Sequence, residues 1–100
     1  MTGQAKRRDI FSAVGDANRR RIIELLAERE RTVGELATEL GIAQPSVTQH
    51  LTLLREVGLV ASERRGTASV LSLTPGPLQD VAAWCLAQAQ PSHASESAPR

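Results

Sequence analysis

The stretch Thr32–Val60, TVGELATELGIAQPSVTQHLTLLREVGLV, holds two short amphipathic segments punctuated by single glycines, and its reading decides the fold. Thr32 followed by Glu35 is a capping-box pattern: the hydroxyl accepts from a first-turn amide while the carboxylate reaches back to the cap amide. Val33, Leu36, Ala37 and Leu40 then fall at i, i+3, i+4 and i+7, which gathers them on one helical face, and Gly41 supplies the left-handed residue that ends the helix. A second helix opens near Gln44 and Pro45, where proline is welcome because a first-turn amide has no acceptor to lose. Val47, Leu51 and Leu54 face inward from it. Gly58 closes it, with Leu59 placed for the apolar contact of a Schellman cap.

On a helical wheel the outer arc of this second helix holds Pro45, Gln49, Thr52 and Glu56, flanked by Gln44, Thr48 and Leu53, with Ser46 exposed in the opening turn. No acidic residue occurs from Leu40 to Arg55, so the segment can approach phosphate without repulsion. Beyond it, Val60 to Arg64 and Ala68 to Leu73 read as two strands around Arg65, Gly66 and Thr67, a loop length that fits a β-hairpin. Upstream, Ile10, Phe11 and Val14 form a short helical stripe that Gly15 stops. Asp16 is a plausible N-cap for a helix carrying Ile22, Ile23, Leu25 and Leu26 to about Ala27. Downstream, Thr74-Pro75-Gly76-Pro77 breaks the chain. Leu78, Val81, Ala82, Cys85, Leu86 and Ala89 then make a broad apolar stripe with Trp84 at its edge.

The predicted architecture is therefore mainly α with a small β-hairpin: a winged helix-turn-helix of five helices and a two-stranded wing, spanning residues 1–89 as one domain. Residues 90–100 turn to Pro, Ser, Ala and His, too polar to bury, and read as a disordered tail. One hundred residues leave no room for a second domain. With one Phe, one Trp and no Tyr, the core must be aliphatic, and so small a fold often completes its core by oligomerising.

The single Cys85 excludes an intramolecular disulfide, and the start MTGQAKRR has no apolar stretch behind it to act as a signal peptide, so a cytoplasmic protein is expected. No apolar run approaches the roughly 18 to 20 residues of a membrane span. A net charge of +1 says little, because the placement of charge governs polyanion binding.

A polar, acid-free helix fits the major groove, where amides and hydroxyls pair with base edges while the preceding helix braces it. Gln44 and Gln49 are the candidate base readers, since a Gln amide can pair twice with adenine. Ser46 and Thr48 suit a phosphate or a base, and the open amides of the first turn favour an anion. Thr52 lies on the same outer arc. Arg64 and Arg65 at the hairpin tip can reach the flanking backbone or minor groove.

The run from Thr32 to Val60, with DANRRRIIELL before it, resembles the ArsR/SmtB family of bacterial transcriptional repressors over about Arg8 to Ala87. The matching residues are Glu35-Leu36-Ala37 before Gly41-Ile42, then Gln44-Pro45-Ser46-Val47, His50-Leu51, Leu54 and Gly58-Leu59-Val60. The resemblance implies a homodimer on an imperfect palindrome in double-stranded promoter DNA. It carries DNA contacts onto Gln44, Pro45, Ser46, Thr48, Gln49 and His50, a wing onto Arg64 to Ser69, and a dimer surface onto Ile10, Phe11, Val14, Leu78, Val81, Ala82 and Cys85.

Departures from the family pattern are informative. Many relatives open the second helix with Ser where this chain has Ala43, which removes a cap worth about 1 kcal/mol. The wing carries neutral Thr67, Ala68 and Ser69 where relatives are basic, which implies fewer phosphate contacts and a shallower salt dependence. Metal-sensing members carry a Cys pair in the first helix of the motif or Asp and His in the last helix. Here the former reads ELATEL and the latter offers only Asp80 and Cys85, so neither metal nor other cofactor is expected. Pro77-Leu78-Gln79-Asp80 ahead of Trp84 is similar to the SdpR-like branch of metal-free autorepressors encoded beside a membrane partner; the effector, membrane-borne or small-molecule, is left open.

Plainer readings compete at several positions. A lone Cys85 in an apolar stripe reads as an inert core residue, His50 borders the buried arc and suits packing as well as phosphate, and Trp84 reads as a packing or dimer residue. Arg19 to Arg21 read as a solvated helix face, with Glu24 and Glu28 in reach of Arg20, Arg21 and the neighbourhood of Arg31. An enzyme is excluded, since no Ser or Cys has His and acid partners in a motif and no phosphate loop or paired carboxylates occur. A winged-helix adaptor acting only through protein contacts is the alternative. Such a surface would carry apolar or aromatic anchors in place of the acid-free polar face.

Overall fold

Each helix of this chain begins at a side chain that can cap it or at a proline its first turn tolerates. The structure, a computed structural model, describes residues 9–92. Asp9 caps α1 (Ile10–Val14) by accepting from the Ser12 amide, and Asp16 caps α2 (Ala17–Glu28) by accepting from the Arg19 amide. Thr32 and Glu35 form the expected capping box at the head of α3 (Val33–Leu40), with both reciprocal hydrogen bonds present at 3.1 and 2.9 Å. Ala43 gives α4 (Gln44–Glu56) no side-chain cap, and α5 (Gly76–Ala89) starts two residues before the apolar stripe because Pro77 fits inside its first turn.

The helix ends are equally local. Gly41 at φ 69° and Gly58 at φ 80° adopt the left-handed conformation that other residues avoid. At Gly58 the Schellman pattern is complete: the Leu59 amide donates to the Leu54 carbonyl (2.9 Å) and the Gly58 amide to the Arg55 carbonyl (3.0 Å).

Ile22, Leu25 and Leu26 of α2, Leu36 and Ala37 of α3, and Val47, Leu51 and Leu54 of α4 converge with Ala13, Leu59, Val60 and Leu71 into one core. Each fully buried Leu, Ile or Val contributes about 1.5 to 3 kcal/mol. The spacings read from sequence thus point to the correct faces of all three helices.

The wing differs in two respects from the expected hairpin: Arg65 ends its first strand and does not belong to the loop, and a third strand joins the sheet. β2 (Val60–Arg65) and β3 (Ala68–Leu73) form the hairpin, in register from Val60 opposite Leu73 to Arg65 opposite Ala68. Two residues, Gly66 and Thr67, turn the chain, and positive φ at Gly66 alone matches a type II′ turn. A third strand, β1 (Arg31–Thr32), pairs antiparallel with the other edge of β3, giving the order β1-β3-β2. Two residues are too few to show alternation, so this strand is visible only once β3 is beside it. The tail expected from residue 90 lies outside the described residues from residue 93 onward, as do residues 1–8.

α5 packs on α1, and the rings of Phe11 and Trp84 meet edge to face at 5.6 Å. No residue of α5 is buried. Cys85, expected in the core, is exposed here, because the core closes without α5 beyond the partly buried Leu78.

Candidate nucleic-acid interface

The tight turn at Gly41 holds α4 across α3, so that Val47, Leu51 and Leu54 are buried and the opposite face is bare. Gln44, Pro45, Ser46, Thr48, Gln49 and Thr52 are all exposed on α4. Thr52 returns its hydroxyl proton to the Thr48 carbonyl (3.0 Å), which leaves its oxygen lone pairs outward. Among the described residues the first carboxylate along this helix is Glu56, in its last turn. Ahead of Glu56 this face carries amides and hydroxyls and no carboxylate, which suits it to reading donors and acceptors on base edges.

Gln44 and Thr48 line one side of an open cleft of about 440 Å³, and Thr67, Ala68 and Ser69 of the wing line the other. Gln44 also lies close to α3, since a Cβ added at Gly34 would stand 3.6 Å from its Nε2. Helix and wing therefore present one continuous polar surface.

The two wing arginines are not equivalent. Among the described residues Arg64 reaches only the Ser69 hydroxyl, at 3.5 Å. Arg65 donates to both carboxylate oxygens of Glu30 (2.9 and 3.3 Å) and to Glu63 (2.9 Å). The hydrogen bond to Glu30, followed by that to Glu63, raises the guanidinium pKa above its ordinary value. Such exposed pairs are screened and readily exchanged.

His50 is turned inward on the flank of α4, with its side chain 19% exposed. Its Nδ1 lies 3.2 Å from Arg19 Nη1 and 3.9 Å from Asp16 Oδ2. The packing role weighed for it is thus the one its contacts describe.

Arg19 departs from the solvated face expected of Arg19 to Arg21: it is half-buried and donates to the Ala13 and Ser12 carbonyls as well. Arg20 donates to the Val14 carbonyl, and Arg21 pairs with Glu24 as its spacing suggests.

Arg31 carried no functional reading in the sequence, yet it is 5% exposed. Its guanidinium pairs with Glu28 (2.8 Å) and Glu39 (3.6 Å), tying α2, β1 and α3 together. Among the described residues its Nε has no hydrogen-bond partner. The one signal available was Glu28 three residues before it.

Of the expected dimer residues, Phe11, Ala82 and Cys85 are exposed, while Ile10, Val14, Leu78 and Val81 are half-buried within the single chain. Trp84, also read from the sequence as a packing or dimer residue, and Leu86 extend the same apolar face at 55% and 62% exposure.

Two helices joined at a left-handed glycine, the second bare and polar, with a hairpin beside it, define a winged helix-turn-helix DNA-binding regulator. Residues 16–62 match the sequence pattern of bacterial regulatory proteins of the arsR family. The chain belongs to that family, whose members are transcriptional regulators and not enzymes. The transcriptional repressor SdpR of Bacillus subtilis is 33% identical over 78 residues, covering 78% of this chain and 87% of the relative. Among solved structures, the ArsR family transcriptional regulator RHA00566 superposes with TM-score 0.74 at 30% identity, over 81% of this chain and 84% of that one. Rv0081 of Mycobacterium tuberculosis gives TM-score 0.65 at 35% identity, over 80% and 82%.

Proposed function

We propose that this regulator is a homodimeric repressor that sets two copies of α4 in successive major grooves, about 34 Å apart, on a palindromic operator. One observation carries the reading: Gln44, Pro45, Ser46, Thr48, Gln49 and Thr52 are exposed together on an α4 face without an acid before Glu56. Gln44 and Gln49 are the base readers. Ser46, Thr48 and Arg64 hold phosphates, and Arg65 joins them once it leaves Glu30. Pro45 and Thr52 give shape and apolar contact, and His50 acts from within.

The dimer is supported by α5, which buries no residue in the single chain and leaves Phe11, Trp84 and Leu86 half or more exposed. So much aromatic and aliphatic surface on one side favours association with a second copy. Repression without a resident metal rests on the sequence of the two helices that bear ligands in metal-sensing relatives: α3 reads ELATEL without Cys or His, and α5 offers only Asp80 and Cys85. The name of the B. subtilis relative states repression for that protein.

Genomic fragments retained by the purified protein test the reading. It should select upstream regions that share an inverted repeat, and protect two half-sites one helical turn apart from cleavage. Retention of no fragment at low ionic strength would end the proposal.

A further inference from the structure

We propose that Arg19 is a positioning residue that fixes α4 against α1 through His50, and that this joint closes only while His50 Nδ1 carries no proton. The inference rests on the DNA-reading function above. Arg19 spends all three guanidinium nitrogens on one corner of the fold. Nε donates to the Ala13 carbonyl (2.9 Å), Nη2 to the Ser12 carbonyl (3.1 Å), and Nη1 meets His50 Nδ1 (3.2 Å). Its own amide is held by Asp16 Oδ2 at 3.1 Å.

The two carbonyls belong to the last turn of α1; that of Ser12 also accepts from the Gly15 amide (3.1 Å), and Arg19 adds a side-chain donor to each. A helix of five residues is also too short to hold its place alone. One side chain therefore ties the helix expected at the dimer surface to the helix expected to read DNA. His50 follows Thr48 and Gln49 directly, so any roll of α4 at this grip moves both outward side chains.

The chemistry of the contact fixes its protonation. A guanidinium has only donors, so Nδ1 must offer its lone pair and a neutral ring must carry its proton on Nε2. A proton on Nδ1 would face the N–H of Arg19 and bring two positive charges together. Among the described residues the charged groups brought to this imidazole are Arg19 and Asp16, both at the head of α2. A protonated ring thus exchanges Arg19 for the Asp16 carboxylate, 3.9 Å from Nδ1. The α1 corner then loses its hold on α4.

The experiment uses the whole chain and a duplex selected by it from random-sequence DNA at about pH 8. Affinity is read by fluorescence anisotropy at about pH 8 and pH 5.5 for wild type, His50→Asn and Arg19→Lys. In wild type the ratio of the two affinities should be about ten, the loss of one hydrogen bond to a charged group. In His50→Asn the amide oxygen accepts from Arg19 at either pH, so the ratio should fall to about one, whatever its absolute affinity. Arg19→Lys, whose three donors sit on one atom and cannot span acceptors set out around a guanidinium fork, should bind more weakly at the higher pH and lose most of the ratio.

Imidazole nitrogen shifts give a readout that needs no DNA. The His50 signals, identified by their loss in His50→Asn, should report the Nε2–H form at the higher pH. An Nδ1–H form there, or equal ratios in wild type and His50→Asn, overturns the joint. If no duplex is retained at either pH, the DNA-reading function itself falls, and the nitrogen shifts alone decide whether the joint exists.

Discussion

Arg65, at the tip of the wing, is gripped by both carboxylate oxygens of Glu30, a residue 35 positions earlier, at 2.9 and 3.3 Å. In the unbound protein Glu30 therefore occupies the guanidinium that the sequence assigns to phosphate, and Glu63 reinforces the hold. Binding has to displace these carboxylates, so replacing both acids, as in Glu30→Gln with Glu63→Gln, should strengthen binding to a duplex. In Arg65→Ala the slope of log K against log salt should become shallower by about one unit, the mark of one neutralised phosphate lost. Titrations at several salt concentrations measure it, and an unchanged slope would remove Arg65 from the interface.

Gln49 is exposed in the middle of the polar face of α4. If its amide reads a base edge, Gln49→Ala should weaken binding to the selected operator by about 1 to 3 kcal/mol and barely alter binding to random DNA. Parallel losses on both duplexes would contradict base reading.

Asp16 caps α2 through the Arg19 amide, so Asp16→Ala should cost about 1 kcal/mol at neutral pH. That hydrogen bond, outweighing partial burial and aided by the His50 and Arg19 charges, holds the Asp16 carboxyl pKa below its ordinary value. A folded-state pKa lowered in this way adds stability that is complete above about pH 4 and is lost as pH falls through the folded value. Denaturant midpoints of wild type and variant should therefore differ at pH 7 and approach one another at about pH 2.5. A constant gap across that range would show that the charge of Asp16 plays no part.

Gly58 sits at φ 80°, and a Cβ added there would stand 3.9 Å from Pro77 Cγ, an ordinary contact. The cost of Gly58→Ala is then the left-handed backbone alone, about 1 to 2 kcal/mol. For a domain of this size, thermal melts should show a fall of about 4 to 8 °C for each kcal/mol. Equal melting temperatures would mean that the α4 cap relaxes into another conformation at no cost.

Leu86 is 62% exposed in the single chain, so a monomer would accept Leu86→Glu with little change. A dimer closed through α5 would not. Light scattering should report twice the chain mass for wild type and one chain mass for the variant, with the melting curve of the variant dependent on concentration only at high loading. The same mass for both proteins would clear α5 of the interface.

What the sequence determined by itself was everything decided within one or two helical turns. Thr32 and Glu35 form their capping box, Gly41 and Gly58 end their helices left-handed, and Val47, Leu51 and Leu54 face the core, because each of these choices depends on neighbours at most five residues away. The bare polar face of α4 followed from the same periodicity. Tertiary structure alone decided which charges are spent inside the molecule. Arg19 reaches His50 across 31 residues, Arg65 reaches Glu30 across 35, and β1 exists only because the edge of β3 lies beside it. A long cationic side chain reads alike in sequence whether it ends in water, on a carbonyl or on a carboxylate, since its partner is chosen by the path of the folded backbone and not by local spacing.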